Sequence, residues 1–472
     1  MNSIKYKFSI TAVLGIVLLW GCSKSYLTLA PADSVPSSVA LGTVSGLQNA
    51  LNGAYAQLRT YQLYGRDFLA IGDVESDNVF VQAKNTGRYT TQYSYTFTSS
   101  DGVFGEMWSN AYEAIQEVNQ IIDATTTGVG VDSIKAQAYG IRALMYFKLV
   151  NIYAEPYTQD TSALGVPLVL HYNPYALPAR SSVGTVYNQI VSDLKAAFQN
   201  APPYTSSVTL SKYAAEALLA RAYLYEGDYA DAEAAAVDVI NNGGFTLVTP
   251  SNYLSFWADA AAQSSATEVM FEIDADPINN NSTNDIAGIY FQGYQDLYCS
   301  SQLYDLYTPT DCRRLVIDSG STATGAFAYV VEKFPNYLNA DRDNLKVIRL
   351  AEVYLIAAEA AVPTNQATAL TYLNDLMAQR DPATVYASSG AQLLSDIVTE
   401  RRKELAFEGD RFYDMNRLQL PINRVANPGA MLAGTNNANL SIPWPDALRV
   451  GPIPLGEILV NPNIANEQNP GY

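Results

Sequence analysis

The sequence predicts an all-α, mainly helical fold in which helical hairpins form a scaffold for long irregular loop insertions. The first observation is a stripe of apolar residues, spaced by three or four between Ile134 and Ile152, which places one face of a helix against a core. The second is the return of this spacing, now with many small residues, over about 220–239 and 348–376. The third is that long segments rich in Gly, Pro, Asn and Tyr separate these regions.

The first residues have the pattern of a secretory signal. An apolar run follows two lysines and ends at Trp20, so it is shorter than the roughly 20 apolar residues of a membrane-spanning helix. The run leads into Leu19-Trp20-Gly21-Cys22, which resembles a bacterial lipobox, with a branched apolar residue three positions before the cysteine. We therefore expect residues 1–21 to be a lipoprotein signal peptide and Cys22 to carry lipid. The alternative is a plain signal peptide followed by an incidental cysteine.

The segment after Cys22 predicts a tether. Residues 22–40 lack an apolar period and contain several Pro, Ser and Ala residues, which is typical of an irregular linker. We expect a single domain over residues 41–472, in which helical periodicity begins at Val44. No later segment reaches membrane-spanning length, so the lipid on Cys22 is the expected anchor.

The composition argues against several classes of function. The formal net charge is −18, and removal of Lys5 and Lys7, with no acidic residue before the cleavage point, changes it to −20. Such an acidic surface argues against nucleic acid and anionic lipid as partners. The single histidine, His171, argues against His-based catalytic triads and His-rich metal sites. We expect no cofactor, no metal and no catalytic residues.

Two cysteines follow Cys22 in the chain. Cys299 and Cys312 form one disulfide in an oxidising compartment or stay as two buried free thiols, and their spacing does not distinguish these alternatives.

Two regions resemble tetratricopeptide (TPR) hairpins. In the first, Gly227 and Asp228 supply a turn between helices whose small and aromatic positions match the motif. These positions are Ala220, Tyr223, Tyr229, Ala232, Ala236 and Val239. The second has small and apolar residues at helical spacing on either side of Pro363 and Asn365. We therefore predict stacked TPR-like hairpins at about 134–240 and 345–410.

The segments between the hairpins are the expected location of function. Those at about 60–110 and 245–345 are loop-rich and are predicted to face a ligand, because long ordered loops on a rigid scaffold commonly carry function. Tyrosine is unusually abundant, with 34 residues against 4 tryptophans. Its ring has an apolar face and a polar tip, which suits wet protein interfaces and stacking on sugar rings.

Several motifs occur in one characteristic order along the mature chain. They are Gly72-Asp73-Val74-Glu75-Ser76-Asp77-Asn78, the spaced set Trp108, Tyr112, Ile115 and Asn119, then Arg142-Ala143-Leu144-Met145-Tyr146-Phe147, Gly165-Val166-Pro167-Leu168, Gly227-Asp228-Tyr229, the run from Glu400 to Asp414, and the tail from Pro452 to Tyr472. With a lipobox in front, this ordered set resembles the SusD/RagB family of nutrient-uptake outer-membrane lipoproteins of Bacteroidota. The resemblance covers nearly the whole mature chain.

The resemblance implies a function that the residue patterns do not show by themselves. It implies a single α-helical domain that acts as the substrate-capturing lid of a SusC-like TonB-dependent transporter in the outer membrane. The implied ligand is an oligosaccharide or polysaccharide, or a peptide in some members, and the lipid on Cys22 would hold the protein at the cell surface. One departure is Ser23-Lys24-Ser25-Tyr26 after the cysteine, where surface-exposed members often carry acidic residues.

Two loop segments combine aromatic, amide and charged side chains, as a sugar-binding site requires. The candidate ligand-binding residues are Arg88, Tyr89, Tyr93, Tyr95 and Asp101 in the first segment and Tyr290, Tyr294, Asp296 and Tyr298 in the second. The alternative for the first set is a short strand with one packed face. Tyr61, Tyr64 and Arg66 are secondary candidates, and Trp108 is expected in the core.

Two acidic motifs are expected to be structural. Asp73, Glu75 and Asp77 alternate as in a calcium loop, but the sixth and twelfth positions are Asn78 and Lys84, which argues against an EF-hand and favours a buried polar network. In the run from Glu400 to Glu408, interleaved basic residues favour ion pairing over a pair of catalytic carboxylates.

The leading hypothesis is therefore a non-enzymatic binding subunit of a glycan importer. The alternatives are a peptide-binding lid, a lipid-anchored glycoside hydrolase, and a scaffold whose hairpins bind protein partners only.

Overall fold

The computed structural model describes residues 40–318, 320, 329–427, 429–431 and 441–472. Within them the chain forms sixteen α-helices and ten strands of two to five residues, so the predicted mainly helical fold is confirmed. The predicted signal peptide, Cys22 and the tether up to residue 39 lie outside the described residues. Among the described helices, none combines the length and apolar character that crossing a membrane requires.

The long helices form one continuous stack. Helix α1 (Val44–Leu58) packs on α4 (Gly102–Asp123) and α5 (Val131–Tyr153), and each later helix packs on the preceding one. These are α6 (Val183–Asn200), α7 (Lys212–Glu226), α8 (Tyr229–Asn242), α12 (Leu350–Ala361) and α13 (Gln366–Met377), with α14 (Gly390–Glu404) against α12. The contact between α8 and α12 joins the two predicted hairpin regions into one scaffold.

The α7–α8 hairpin shows why these residues form this element. The Ser211 side chain accepts a hydrogen bond from Ala214 N–H at the start of α7, and the Asp228 side chain does the same for Asp231 N–H at the start of α8. Between them, Gly227 ends α7 with a φ of 76°, a conformation that favours glycine. The turn predicted at Gly227 and Asp228 is therefore present, and Ala220, Ala232 and Ala236 are buried where the helices meet.

Short elements connect the stack. The helices are α2 (Asp67–Val74), α3 (Thr90–Ser94), α9 (Tyr253–Ala258), α10 (Ile286–Tyr290), α11 (Ser301–Tyr304), α15 (Arg411–Arg417) and α16 (Leu455–Val460). The strands pair antiparallel as β1 (Val79–Val81) with β5 (Leu297–Cys299), β2 (Leu164–Pro167) with β3 (Arg180–Ser182), β4 (Val269–Ile273) with β8 (Leu345–Arg349), β6 (Ile317–Asp318) with β7 (Val330–Val331), and β9 (Ile422–Asn423) with β10 (Ser441–Ile442). The predicted loop segment 60–110 thus contains two short helices, a strand and the start of α4.

A buried ionic network joins the second hairpin region to the loops. The Glu404 carboxylate accepts hydrogen bonds from Arg349 Nη1 (2.8 Å), Arg380 Nε (2.9 Å) and Arg313 Nη1 (3.3 Å), and all four side chains are buried. Burial alone would raise the pKa of Glu404, but the three guanidinium groups lower it well below its ordinary value. Glu400 pairs with Arg313 in the same network. The predicted ion pairing is therefore confirmed, but of the interleaved basic residues only Lys403 pairs within the run, with Glu400, whereas Arg401 and Arg402 pair with Glu352 and Asp77.

The second acidic motif is also part of the buried structure. Asp73 is fully buried, and its carboxylate accepts hydrogen bonds from Asn78 Nδ2 (2.9 Å) and Gly409 N–H (3.1 Å). Burial raises the pKa of Asp73 to about 7. Asp77 pairs with Arg402 and Arg411, so the predicted buried polar network is confirmed. In the described part of the chain, no group of three or more His, Cys, Asp or Glu side chains is placed to hold a metal ion.

Cys299 and Cys312 are both buried and free. Of the two alternatives that the sequence leaves, the structure therefore has the pair of buried thiols.

Candidate functional site

The pairing of β1 with β5 brings the two candidate loop segments together. Val79 stands opposite Cys299 and Val81 opposite Leu297, so the residues after β1 run beside the residues before β5. Asp296 fixes this contact, because its carboxylate accepts hydrogen bonds from Thr86 N–H (2.7 Å) and Thr86 Oγ1 (2.6 Å). Asp296 is itself fully buried, so its role in this structure is to join the two segments.

Arg88 and Tyr294 form the exposed contact between the segments. The guanidinium carbon of Arg88 lies 3.5 Å from the centroid of the Tyr294 ring, and both side chains are half-exposed. Thr86 Oγ1 accepts a hydrogen bond from Arg88 Nη1 (2.7 Å), which holds the guanidinium over the ring. A stacked arginine and tyrosine present a flat surface that is apolar on its face and rich in donors at its edge.

A second stacked pair lies beside the first. The Arg66 guanidinium carbon lies 4.6 Å from the centroid of the half-exposed Tyr61 ring, and Arg66 also donates to Asp67 Oδ1 (2.7 Å) and to Asn284 Oδ1. Asn284 belongs to the second loop segment, so this pair too is held across the junction. The Tyr89 ring is 5.9 Å from the same guanidinium carbon and connects this pair to Arg88, its chain neighbour.

Tyr337 extends this surface, and sequence reasoning missed it. A Cβ added at Gly293 would stand 2.6 Å from Tyr337 Cζ, so the Tyr337 ring lies directly against the backbone that carries Tyr294. The signal that could have found it is its position in an Asn-rich turn, between Asn336 and Asn339. Arg66 is itself buried, so four half-exposed residues form the surface that we call the loop surface: Tyr61, Arg88, Tyr294 and Tyr337.

Most of the other candidate residues do not face solvent in this structure. Tyr89, Tyr93, Tyr95, Tyr290 and Tyr298 are all buried, with exposed fractions of 0% to 8%. The prediction that these five tyrosines face a ligand is therefore wrong, and their packing explains why. Tyr93 and Tyr95 enclose the Arg424 guanidinium at 4.6 and 5.2 Å, Tyr290 stacks on Phe334, and Tyr298 stacks on Phe80.

The local backbone around Tyr93 also differs from the expected alternative. The sequence allowed a strand with one packed face, whereas residues 90–94 form the single-turn helix α3. Tyr89 and Tyr95 flank it with φ values of 56° and 52°, in the left-handed region. Tight reversals at both ends, which spacing alone does not reveal, turn the aromatic residues inward.

Asp101 is half-exposed but structurally engaged. Its carboxylate caps α4 by accepting from Val103 N–H (3.0 Å) and also accepts from Gln92 Nε2 (2.7 Å) and Thr91 Oγ1 (2.9 Å). Of the nine loop candidates, the structure thus presents Arg88 and Tyr294 as the pair that can meet a ligand. Trp108 lies in the core as expected, with 4% of its surface exposed.

Comparison with known proteins assigns the chain to a family. Residues 25–224 match the family profile described as "starch-binding associating with outer membrane", and residues 320–472 match the SusD family profile. A crystal structure of a SusD superfamily protein from Bacteroides thetaiotaomicron superposes with a TM-score of 0.83 and 30% identity, over 91% of this chain and 100% of that chain. The chain belongs to the SusD family.

Other SusD-like relatives are similar to this chain over nearly its whole length. A SusD-like protein of Formosa agariphila is 28% identical over 99% of this chain and 100% of its own. A structure from Bacteroides vulgatus, whose description proposes sugar binding, has 30% identity and a TM-score of 0.82 over 91% of this chain and 99% of its own.

The family profiles also divide the loop surface. Tyr61 and Arg88 lie in the first matched range and Tyr337 in the second, whereas Tyr294 lies between them in residues 225–319. This SusD-family protein therefore builds one half of its stacked pair from a segment that neither matched range includes.

Proposed function

We propose that this SusD-family protein captures a glycan at the loop surface, as the substrate-capturing lid of an outer-membrane importer, and releases it uncleaved. The observation that carries the proposal is the half-exposed Arg88 guanidinium held 3.5 Å over the Tyr294 ring. The match of residues 25–224 to a starch-binding, outer-membrane-associated family supports the ligand class and the location.

The chemistry of the loop surface suits a sugar. A pyranose ring has an apolar C–H face and a rim of hydroxyl groups, so it needs an aromatic face with donors and acceptors beside it. Tyr61 and Tyr294 supply the rings, and Arg88 supplies the donors. Glu106, which accepts a hydrogen bond from Tyr61 Oη (3.2 Å), adds an exposed acceptor at the same edge.

The state of the carboxylates supports binding without cleavage. Hydrolysis of a glycosidic bond needs an acid that can protonate the leaving group beside a second carboxylate. Glu400 and Glu404, the pair that the sequence offers for this role, are fully buried and bonded to arginines. They are positioned to hold the fold together and lie away from solvent.

Anchoring and partnership complete the proposal. Lipid on Cys22 and a tether of residues 22–40 would keep a water-soluble lid beside its transporter while allowing it to swing. The expected partner is a SusC-like TonB-dependent barrel, which would receive the captured glycan.

The test is calorimetric titration of the purified protein with a panel of α-glucan, β-glucan and other plant and algal oligosaccharides. We expect one of them to bind, and chromatography of the mixture to show no shortened products. Tyr294→Ala should weaken that binding at least tenfold, because it removes the ring that stacks on the sugar. Tyr175→Ala, which removes a tyrosine that is 89% exposed elsewhere on the chain, should leave it unchanged. Release of shorter sugars, or binding of peptides alone, would refute the proposal.

A further inference from the structure

A groove separate from the loop surface runs along α4. It has a volume of about 600 Å³ and lies between α4 and residues 167–178, with Glu457 of α16 at its edge. Trp108 and Tyr112 line it from the helix, and Tyr172 lines it from the opposite segment. A cavity of this size accommodates a small ligand or one or two side chains of a partner.

The groove is held open by hydrogen bonds across it. Gln116 Nε2 donates to Asn173 O (3.1 Å), and Asn173 N–H donates to Gln116 Oε1 (3.1 Å). Asp123 accepts from Tyr172 N–H (2.8 Å), and Tyr112 Oη donates to Pro167 O (2.7 Å). The walls are therefore preorganised, which lowers the entropic cost of binding.

The groove is acidic. Glu113, Glu117 and Glu457 line it, and within the described residues no Lys or Arg does. Glu117 Oε2 is shielded from solvent and has no hydrogen-bond partner among the described residues. Glu113 accepts a hydrogen bond from Gln57 Nε2 (3.2 Å), and Glu457 accepts one from Asn461 Nδ2 (3.2 Å). Both donors are neutral amides, so neither bond neutralises the carboxylate. Three carboxylates beside aromatic rings favour a cation.

Exposed apolar side chains are concentrated in two segments that line this acidic groove. Fourteen large apolar side chains are exposed in the described part of the chain, and six of them lie in residues 172–177 and 455–460, which also carry lining residues of the groove and which we call its rim. They are Tyr172, Tyr175, Leu177, Leu455, Leu459 and Val460. The two segments are tied together, because Asn461 Nδ2 donates to Pro178 O (2.9 Å) and Asn463 Nδ2 donates to Leu177 O. Exposed apolar side chains gathered on one part of a protein surface are typical of protein interaction sites.

We propose that this acidic groove docks a protein partner, which inserts a Lys or Arg side chain beside Glu113 and Glu117 while its own apolar residues cover the rim. A small cationic sugar would fill the groove but leave the apolar rim in water, so the rim favours a protein surface. The inference goes beyond the proposed glycan binding, because no residue of the loop surface lines this groove.

The test uses the peptide Leu-Ser-Arg-Ser-Leu amide with fluorescein on its amino terminus, and the same labelled peptide with citrulline in place of arginine. Citrulline keeps the shape of arginine and removes its charge. By fluorescence polarisation at pH 8 and low salt, we expect the arginine peptide to bind at least tenfold more tightly. The double variant Glu113→Gln and Glu117→Gln should abolish this preference, and Leu459→Ser should weaken both peptides about threefold. Asp375→Asn, which removes one exposed charge on α13, should change neither.

Three results would overturn the proposal. Equal affinity for the two peptides would show that the positive charge of arginine is not recognised. A preference for arginine that survives in the double variant would show that the arginine binds away from Glu113 and Glu117. Displacement of the arginine peptide by chitosan oligosaccharides at lower concentration would identify a sugar site instead. Tyr294→Ala should leave peptide binding intact, so failure of the proposed glycan binding and failure of this docking site give different results.

Discussion

One carboxylate oxygen of Glu117, Oε2, is shielded from water and has no hydrogen-bond partner among the described residues. Burial, and then the neighbouring Glu113, raise the pKa of Glu117 from 4.5 to about 7. The folded chain thus holds this proton more tightly than the unfolded chain, so the free energy of unfolding falls as pH rises through this range. Since the residue is half-exposed, solvent screening reduces the effect, and we expect Glu117→Gln to raise the free energy of unfolding by about 1 kcal/mol at pH 8. Urea denaturation followed by circular dichroism measures it.

The pH dependence is the check on this cause. At pH 4 the wild-type carboxyl is protonated in the folded chain, so Glu117→Gln should then change the free energy of unfolding by less than about 0.5 kcal/mol. Asp375→Asn, at an exposed position on α13, should have no effect beyond that size at either pH. An equal gain from Glu117→Gln at pH 4 and pH 8 would show that the removed charge is not the reason.

At the scale of single residues, residue type alone predicted the role of some side chains correctly and left the role of others open. Basic residues interleaved with Glu400 and Glu404 predicted ion pairing correctly for Glu400, which pairs with Lys403 one helical turn away. Their main partners, Arg313 and Arg380, are distant in sequence and gave no such signal. Tyrosine was ambiguous, because a buried Tyr satisfies its hydroxyl inside the fold, as Tyr95 does by donating to Glu75 O. Tyr294 is half-exposed and Tyr290 is buried, and only tertiary packing determines this difference.

Helix α2 packs directly on backbone, and this contact predicts a strong substitution effect. A Cβ at Gly72 would stand 2.5 Å from the carbonyl carbon of Gly409 and still closer to its oxygen. Gly409 is itself packed against α2, since a Cβ there would stand 2.5 Å from Leu69 Cα, so this backbone has little room to adjust. We expect Gly72→Ala to lower the free energy of unfolding by about 3 kcal/mol, the upper range of overpacking effects. Thermal and urea unfolding measure it.

Gly53 offers the matched substitution on α1. It is exposed, and outside its own helix backbone no atom of the described residues lies within 4 Å of an added Cβ. Gly53→Ala should therefore raise the free energy of unfolding by about 0.5–1 kcal/mol, because alanine costs less backbone entropy than glycine in a helix. A Gly72→Ala protein as stable as Gly53→Ala would contradict the close approach of α2 to residue 409.

Elements were predictable where their pattern was local. The long helices showed a 3.6-residue period, and the Gly227-Asp228 turn has its own residue signature, so both were found from the sequence. The strands were not, because each ladder is short, and the two strands that build the loop surface, β1 and β5, lie far apart in the chain. The loop surface depends on that pairing. Its two halves could be identified from the sequence, but their meeting point could not.

For the whole molecule, the network around Glu404 is where separate parts of the chain converge. Arg313 comes from the loop-rich segment, Arg349 from the end of β8 and Arg380 from the residues after α13, and all three donate to this one carboxylate. Arg349 and Arg380 also pair with Glu268, which precedes β4. Because the network joins hairpins to loops, its loss should affect the cooperative unfolding of the entire fold.

We therefore expect Glu404→Gln to lower the free energy of unfolding by about 3–5 kcal/mol, since it leaves buried guanidinium charge uncompensated and turns an amide donor toward arginine donors. Glu408→Gln at the edge of the network, where Arg349 and Lys333 donate, should cost less and keeps the test usable if Glu404→Gln does not fold. Glu233→Gln, half-exposed on α8, should change the free energy by less than about 0.5 kcal/mol. Urea unfolding of the three variants measures the order of their free energies of unfolding. A stable Glu404→Gln protein that had lost a hydrolytic activity of the wild type would instead assign Glu404 to catalysis.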